Sequence, residues 1–219
     1  MAEVLKTKKT LEKKPRPGDD GTTTISNKVE KIKKDSGIFE ILGTLDELSC
    51  NIGLARAQIM TQYREVKYID YSLKQLEGVQ LHLYEICSHL NAEGKTAISC
   101  PAYAFDASHL ASATRLLNTF LNPLKSFVIA SKSSVEGAQL QVCRTICRRA
   151  ERCVVRYGVP AMGDIPHIIA YLNRLGDFLF VTSRIFTQEQ EIIQTVKKDG
   201  PPTIVLVDNL KKEEEEKPE

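Results

Sequence analysis

The chain contains no tryptophan, and aromatic residues make up only 6% of its 219 positions. It therefore has little with which to build the stacking platforms that hold unpaired nucleic-acid bases. An excess of one charge is also missing: 30 Lys and Arg face 28 Asp and Glu, a formal net charge of +2. Without a basic excess, counterion release cannot drive general nucleic-acid binding. No apolar run approaches the roughly 20 residues that a membrane span needs. The Lys-rich start has no apolar core and carries Glu3 and Glu12, so neither a secretory signal nor a good mitochondrial transit peptide is expected. None of the six cysteines forms a CxxC pair, and they read as reduced core residues of an intracellular protein. No His/Cys metal spacing and no Ser-His-Asp arrangement stands out. His82 and His89, seven apart, are expected to pack or face solvent. Strand-like alternation is nearly absent.

Helical periodicity is what remains, and 42% of the residues are hydrophobic, enough for one domain with a core. Five amphipathic stretches run over about 36–58, 66–90, 108–121, 133–157 and 164–197. The first carries Ile38, Ile41, Leu45, Leu48, Ile52 and Ala55 in helical register. Short connections between them predict an all-α fold, a five-helix bundle of residues 36–198. Residues 1–35 hold Lys, Pro, Gly and Thr without periodicity and read as an extended N-terminal arm. Residues 199–219 form a tail that begins Asp199-Gly200-Pro201-Pro202. It contains a β-prone piece at 203–207 and ends in a Lys/Glu run expected to be disordered.

Three helices place polar residues opposite their apolar stripes. In the fourth, Arg144, Arg148 and Arg152 are spaced by four and form one cationic row beside Glu151, with Val142, Ile146, Ala150 and Cys153 opposite. Such a row is either a solvated face or an anion clamp. Like charges at this spacing cost stability unless something answers them, and a guanidinium grips phosphate oxygens in a fork. In the fifth, Asn173 and Asp177 share a face. In the first, Asp46 lies among Gly43, Cys50, Gly53 and Ala57, where a neighbouring helix or ligand can approach closely. A structural ion pair and a catalytic role both suit Asp46. In the arm, Gly18, Gly21 and Thr22-Thr23-Thr24, followed by lysines, have the composition of a phosphate-binding loop or of a flexible tail, although the Walker pattern is missing.

Read in order, Gly18-Asp19-Asp20-Gly21-Thr22-Thr23, Phe39-Glu40-Ile41-Leu42-Gly43-Thr44-Leu45-Asp46-Glu47-Leu48, Cys147-Arg148-Arg149-Ala150-Glu151-Arg152 and Tyr171-Leu172-Asn173-Arg174-Leu175 resemble the PduO-type corrinoid (cobalamin) adenosyltransferases. The resemblance spans about 14–190. It implies a homotrimer with active sites between subunits and transfer of the 5′-deoxyadenosyl group of ATP, with Mg²⁺, to the cobalt of cobalamin. Carried over by motif, the ATP contacts are Pro15, Arg16, Pro17, Gly18, Thr23, Thr24, Lys34, Arg148, Arg149, Ala150, Glu151, Arg152 and Asn173. Lys33 competes with Lys34. Arg144 matches a catalytic Arg that pairs with Asp46 of the neighbouring subunit, and Phe127 matches an aromatic that expels the corrinoid's lower axial base. A cobalamin reductase and an adenosylcobalamin-dependent enzyme are the implied partners. The compartment is the mitochondrial matrix in a eukaryote and the cytoplasm otherwise. The chain departs from the family pattern at Pro15 and Pro17, where Thr is usual, at Ala130-Ser131-Lys132-Ser133, and at Gln141, where His is common. These departures motivate a second reading, a non-catalytic relative that binds nucleotide or corrinoid and delivers cofactor. A helical interaction protein is the third.

Overall fold

The computed structural model describes residues 15–25, 30–62, 67–92, 107–124, 127–129, 134–158, 165–186, 190–195 and 203–208. Five helices occur among them: α1 (Gly37–Gln62), α2 (Lys67–Asn91), α3 (Ala107–Asn118), α4 (Val135–Tyr157) and α5 (Ile165–Ile185). The buried residues of α1, Ile41, Leu45, Leu48, Ile52, Ala55 and Ile59, alternate four- and three-residue steps. That spacing keeps one stripe facing the core. Packing runs from α2 to α1, α4, α5 and α3. The ring closes through side chains: His82 Nδ1 of α2 lies 3.0 Å from the Tyr171 hydroxyl of α5, and His109 Nε2 of α3 lies 2.6 Å from Gln75 Oε1 of α2. His82 and the buried His89 therefore pack, as expected. No helix among the described residues is long and apolar enough to cross a membrane.

Helix α4 is capped by Ser134, whose hydroxyl accepts from the Gly137 N–H at 3.1 Å. A cap of this kind contributes about 1 kcal/mol. The core stripe of α4 runs through Leu140, Cys143, Cys147, Ala150 and Val154. Val142, expected on that stripe, is instead 45% exposed. It lies about 120° from the stripe's centre at 100° per residue, too far round the helix to reach the core.

Helix α5 ends at Ile185, not near 197. Residues Gln190–Thr195 form β4, the centre of an antiparallel sheet between β3 (Phe127–Ile129) and β5 (Thr203–Asp208). The β-prone piece of the tail is therefore a strand, and strands are more frequent than the near absence of alternation suggested. In the arm, β1 (Thr22–Thr24) and β2 (Lys31–Lys33) make a second small antiparallel pair, with Thr22 opposite Lys33 and Thr24 opposite Lys31. Cys143, Cys147 and Cys153 are buried and reduced, Cys87 is half-buried and Cys50 is exposed. Cys100, the 130–133 segment and the Lys/Glu run lie outside the described residues.

Candidate active site

The arm folds back on itself through two tight turns. Asp19 N–H donates to the Arg16 carbonyl at 3.0 Å and Gly21 N–H to the Gly18 carbonyl at 3.2 Å. Gly18 and Gly21 have φ of +92° and +73°, a region that favours glycine. Lys34 then closes the loop twice: its N–H donates to the Gly21 carbonyl at 2.9 Å and its Nζ to the Gly18 carbonyl at 2.8 Å. This distinguishes Lys34 from Lys33, which lies in β2 opposite Thr22. Both loop carboxylates are engaged. Asp19 accepts from the Arg16 N–H at 2.7 Å, and Asp20 accepts from Lys31 Nζ at 2.7 Å and from both Thr22 donors. The Lys31 ammonium and the Thr22 donors hold the Asp20 carboxyl well below the usual range. The Asp20 charge is thus answered by Lys31, and the exposed Arg16 side chain and the Lys34 ammonium are placed to face an anion.

The junction between arm and bundle is tightly fixed. A Cβ placed on Gly37 would lie 2.5 Å from the Tyr157 ring at the C-terminal end of α4. Only glycine lets the arm enter α1 this close to α4.

On α4, each four-residue step advances the row by about 40° round the helix. The row accordingly winds from α5 toward solvent: Arg144 is half-buried, whereas Arg148 and Arg152 are exposed. Arg144 Nε donates to Gln141 Oε1 at 2.7 Å, and its guanidinium sits 5.9 Å from the centre of the Phe180 ring. Burial and, secondarily, the neighbouring Arg148 lower its proton affinity. The Arg148 side chain makes no hydrogen bond or ion pair among the described residues. Arg152 Nη1 donates back to the Arg148 carbonyl at 3.2 Å. Across the groove, Asn173 Nδ2 of α5 donates to Glu151 Oε1 at 3.2 Å, which joins the two motif helices. Arg149 points the other way and forms an ion pair with Glu47 of α1. Asp177 pairs with Arg174 at 3.4 Å on the solvent side and does not join the row.

Asp46, next to Glu47, is exposed and makes no hydrogen bond or ion pair among the described residues. It borders a cavity of about 550 Å³ between α1 and α2, lined by Leu42, Gly43, Leu83, Tyr84, Cys87 and Ser88 among others. Burial pushes the Cys87 thiol up to about 11 and the Cys143 thiol up to about 12. Neither is a thiolate nucleophile at neutral pH. Among the described residues no group of three or more His, Cys, Asp or Glu could hold a metal ion. The cationic row and the Lys34 turn can bind and orient an anion and neutralise developing charge.

The sequence profile of the family described as cobalamin adenosyltransferase matches residues 14–186, most of the chain. The chain belongs to this cobalamin adenosyltransferase family. A cobalamin adenosyltransferase of Cupriavidus metallidurans is 32% identical over 174 residues, covering 79% of this chain and 86% of the relative. The corrinoid adenosyltransferase MMAB of Bos taurus is 29% identical, covering 89% and 75%. Among solved structures, a variant of the PduO-type ATP:corrinoid adenosyltransferase from Lactobacillus reuteri complexed with cobalamin and ATP superposes with a TM-score of 0.64. It is 19% identical and covers 86% of this chain and 96% of that one, so the likeness shows the fold.

The structure of this adenosyltransferase-family chain brings Arg144, Arg148, Glu151, Arg152 and Asn173 to one groove between α4 and α5, and Gly18 to Lys34. It turns Arg149 toward Glu47 and leaves Asp46 apart from Arg144 within the same chain. Ala150 is buried on the core-facing side of α4, opposite the row. Phe127 opens β3, opposite Ile192 of β4. Pro15, Arg16 and Pro17 lie at the exposed start of the described arm, and Thr23 and Thr24 lie in β1. Two contributors had no separate signal in the sequence: Glu47, hidden beside Asp46, and the Phe180–Ser183 segment of α5 against Arg144.

Proposed function

We propose that this chain is an ATP:corrinoid adenosyltransferase that moves the 5′-deoxyadenosyl group of ATP onto the cobalt of reduced cobalamin and releases triphosphate. The observation that carries this reading is the cationic row of α4 within the family's fold, with the Arg148 side chain making no hydrogen bond or ion pair among the described residues. The names of the bacterial and mammalian relatives support the activity, and the Lactobacillus structures complexed with cobalamin and ATP support both substrates. Cobalt(I) attacks ribose C5′; the Co–C bond forms as the C5′–O bond breaks, and the electron pair leaves with triphosphate. The protein's part is positioning and charge. Arg148, Arg152 and Lys34 neutralise the leaving triphosphate, and Asn173 and Glu151 orient the nucleoside. Arg16, Gly18, Thr23 and Thr24, with Pro15 and Pro17, wrap the phosphates, and Arg149 supports the row through Glu47. Mg²⁺ would be held mainly by the phosphates, its usual mode with nucleotides.

The exposed small-residue face around Asp46 and the Arg144 Nη groups, which make no hydrogen bond among the described residues, support a homotrimer in which Arg144 pairs with Asp46 of the neighbouring subunit. The corrin would lie in the cavity beside Asp46, with Phe127 displacing the lower axial base. Electrons for cobalt come from a cobalamin reductase, and an adenosylcobalamin-dependent enzyme takes the product. The bundle 36–198 is the catalytic unit, the arm 1–35 its nucleotide clasp and 199–219 its tail. In a bacterium the protein would work in the cytoplasm, and in a eukaryote in the mitochondrial matrix.

The test is anaerobic mixing of the protein with ATP, Mg²⁺ and chemically reduced cobalamin, followed by the visible spectrum. Adenosylcobalamin is expected at a rate proportional to protein. ATP binding without turnover would favour the non-catalytic carrier that Pro15 and Pro17 suggest. Gly37→Ala provides a finer check. Its methyl group collides with Tyr157 and shifts the arm, so the Kd for ATP is expected to rise about tenfold, at a cost of about 1.4 kcal/mol of binding. Equilibrium titration measures it, and unchanged affinity would detach the arm from the site.

A further inference from the structure

We propose that Gln141 is the positioning residue of Arg144, fixing the direction in which the guanidinium leaves α4; this rests on the adenosyltransferase reading above. Gln141 Oε1 accepts from Arg144 Nε at 2.7 Å while Gln141 Nε2 donates to Ser183 Oγ at 2.6 Å. Ser183 Oγ in turn donates to the Phe180 carbonyl at 2.7 Å, and the Phe180 ring lies under the guanidinium. The relay thus runs from Arg144 and Gln141 of α4 to Ser183 and Phe180 of α5, the helix that also supplies the ring under the guanidinium. One nitrogen and one face of the guanidinium are fixed, and its two Nη groups make no hydrogen bond among the described residues. Arginine has five donors, so the Nη pair is left for an acceptor beyond the described residues.

An amide suits the relay for a chemical reason. It offers an acceptor to Arg144 and a donor to Ser183 and carries no charge at any ordinary pH. A carboxylate at 141 would compete with Asp46 of the neighbouring subunit for the guanidinium, and an ammonium would repel it. The groups against Arg144 are Gln141 and Arg148 of α4 and Phe180 of α5, and neither the Gln141 amide nor the Phe180 ring ionises. Orientation by Gln141 is therefore independent of pH.

Two substitutions test this. Gln141→Met keeps length and removes both hydrogen bonds; kcat is expected to fall about 10²-fold, with the KM for ATP near its wild-type value because Arg148 and Lys34 are untouched. Gln141→His can rescue when neutral, since one ring nitrogen accepts and the other donates. When protonated it presents two donors and a charge to Arg144. Its kcat relative to wild type should be near one at pH 8 and fall steeply below about pH 6.5. Independently of turnover, the wild-type protein should show a protected Nε–H NMR resonance that disappears in Arg144→Lys and is lost or exposed in Gln141→Met. Wild-type kcat in Gln141→Met, or no pH step in Gln141→His, would overturn the relay. So would the absence of a protected Arg144 signal in wild type. A wild-type protein that keeps that signal but forms no adenosylcobalamin would instead overturn the adenosyltransferase reading and leave the relay standing.

Discussion

Arg148→Ala is expected to lower kcat for adenosylcobalamin formation by about 10³-fold, the scale at which a guanidinium stabilises a leaving polyphosphate, while raising the melting temperature of the nucleotide-free protein. The two effects have one cause. Arg148 is the middle member of the row, four residues from both Arg144 and Arg152, and its exposed side chain finds no partner among the described residues. Each like-charge pair at this spacing costs about 0.2–0.5 kcal/mol. Removing Arg148 abolishes both pairs and returns about 0.4–1 kcal/mol, a rise of about 1–4 °C for a domain of this size. Arg152 keeps its bond to the Arg148 carbonyl, which alanine preserves. Inorganic triphosphate should stabilise wild type strongly and the variant weakly. Arg148→Lys should fall between, because a point charge survives but the bidentate fork does not. A spectrophotometric assay and a thermal melt with and without triphosphate read both signs. Unchanged turnover would remove the row from the mechanism. A lowered melting temperature would mean that the folded chain already answers the charge.

The helices were legible because their periodicity is local. Ile41, Leu45, Leu48 and Ile52 repeat often enough that the stripe of α1 needs no knowledge of what it packs against. The cationic row was legible because Arg144, Arg148 and Arg152 repeat at helical spacing on what is α4. What escaped depends on partners distant in sequence. Ile192, Ile193 and Thr195 continue a plausible helical pattern after α5, yet their β-branched side chains also suit a strand. Pairing with β3 and β5 decides between the two, and no local pattern announces it. Val142 was misplaced for a related reason: an apolar residue at the margin of a stripe is buried only if a neighbouring helix lies on that side. The two polar bridges that shape the site, Glu47 to Arg149 and Gln141 to Ser183, span 102 and 42 positions. Their members are ordinary surface residues when each helix is read alone. The choice of Lys34 over Lys33 likewise required the β1–β2 register, which places Lys33 in the ladder and leaves Lys34 to close the Gly18 turn.

Asp46→Arg is expected to dissociate the assembly and with it abolish turnover, while leaving the subunit folded. Asp46 is exposed on α1 and has no partner among the described residues, so the isolated subunit loses no contact, and arginine is a better helix former than aspartate. In a threefold assembly the substitution places a cation against Arg144 at every interface. Like charges facing each other at an interface cost several kcal/mol, and a trimer meets that cost three times. Sedimentation should show subunits in place of trimers, with unchanged helical content by circular dichroism. The double variant Asp46→Arg with Arg144→Asp separates assembly from chemistry. It restores opposite charges across each interface, so trimers should return. The cation, however, would now stand on α1, away from the Gln141 and Phe180 supports and out of line with Arg148. Turnover should therefore remain about 10²-fold or more below wild type. A single variant that sediments as wild type would show that Asp46 and Arg144 do not meet. A double variant with full turnover would show that the charge matters only for assembly and that the α4 row ends, chemically, at Arg148.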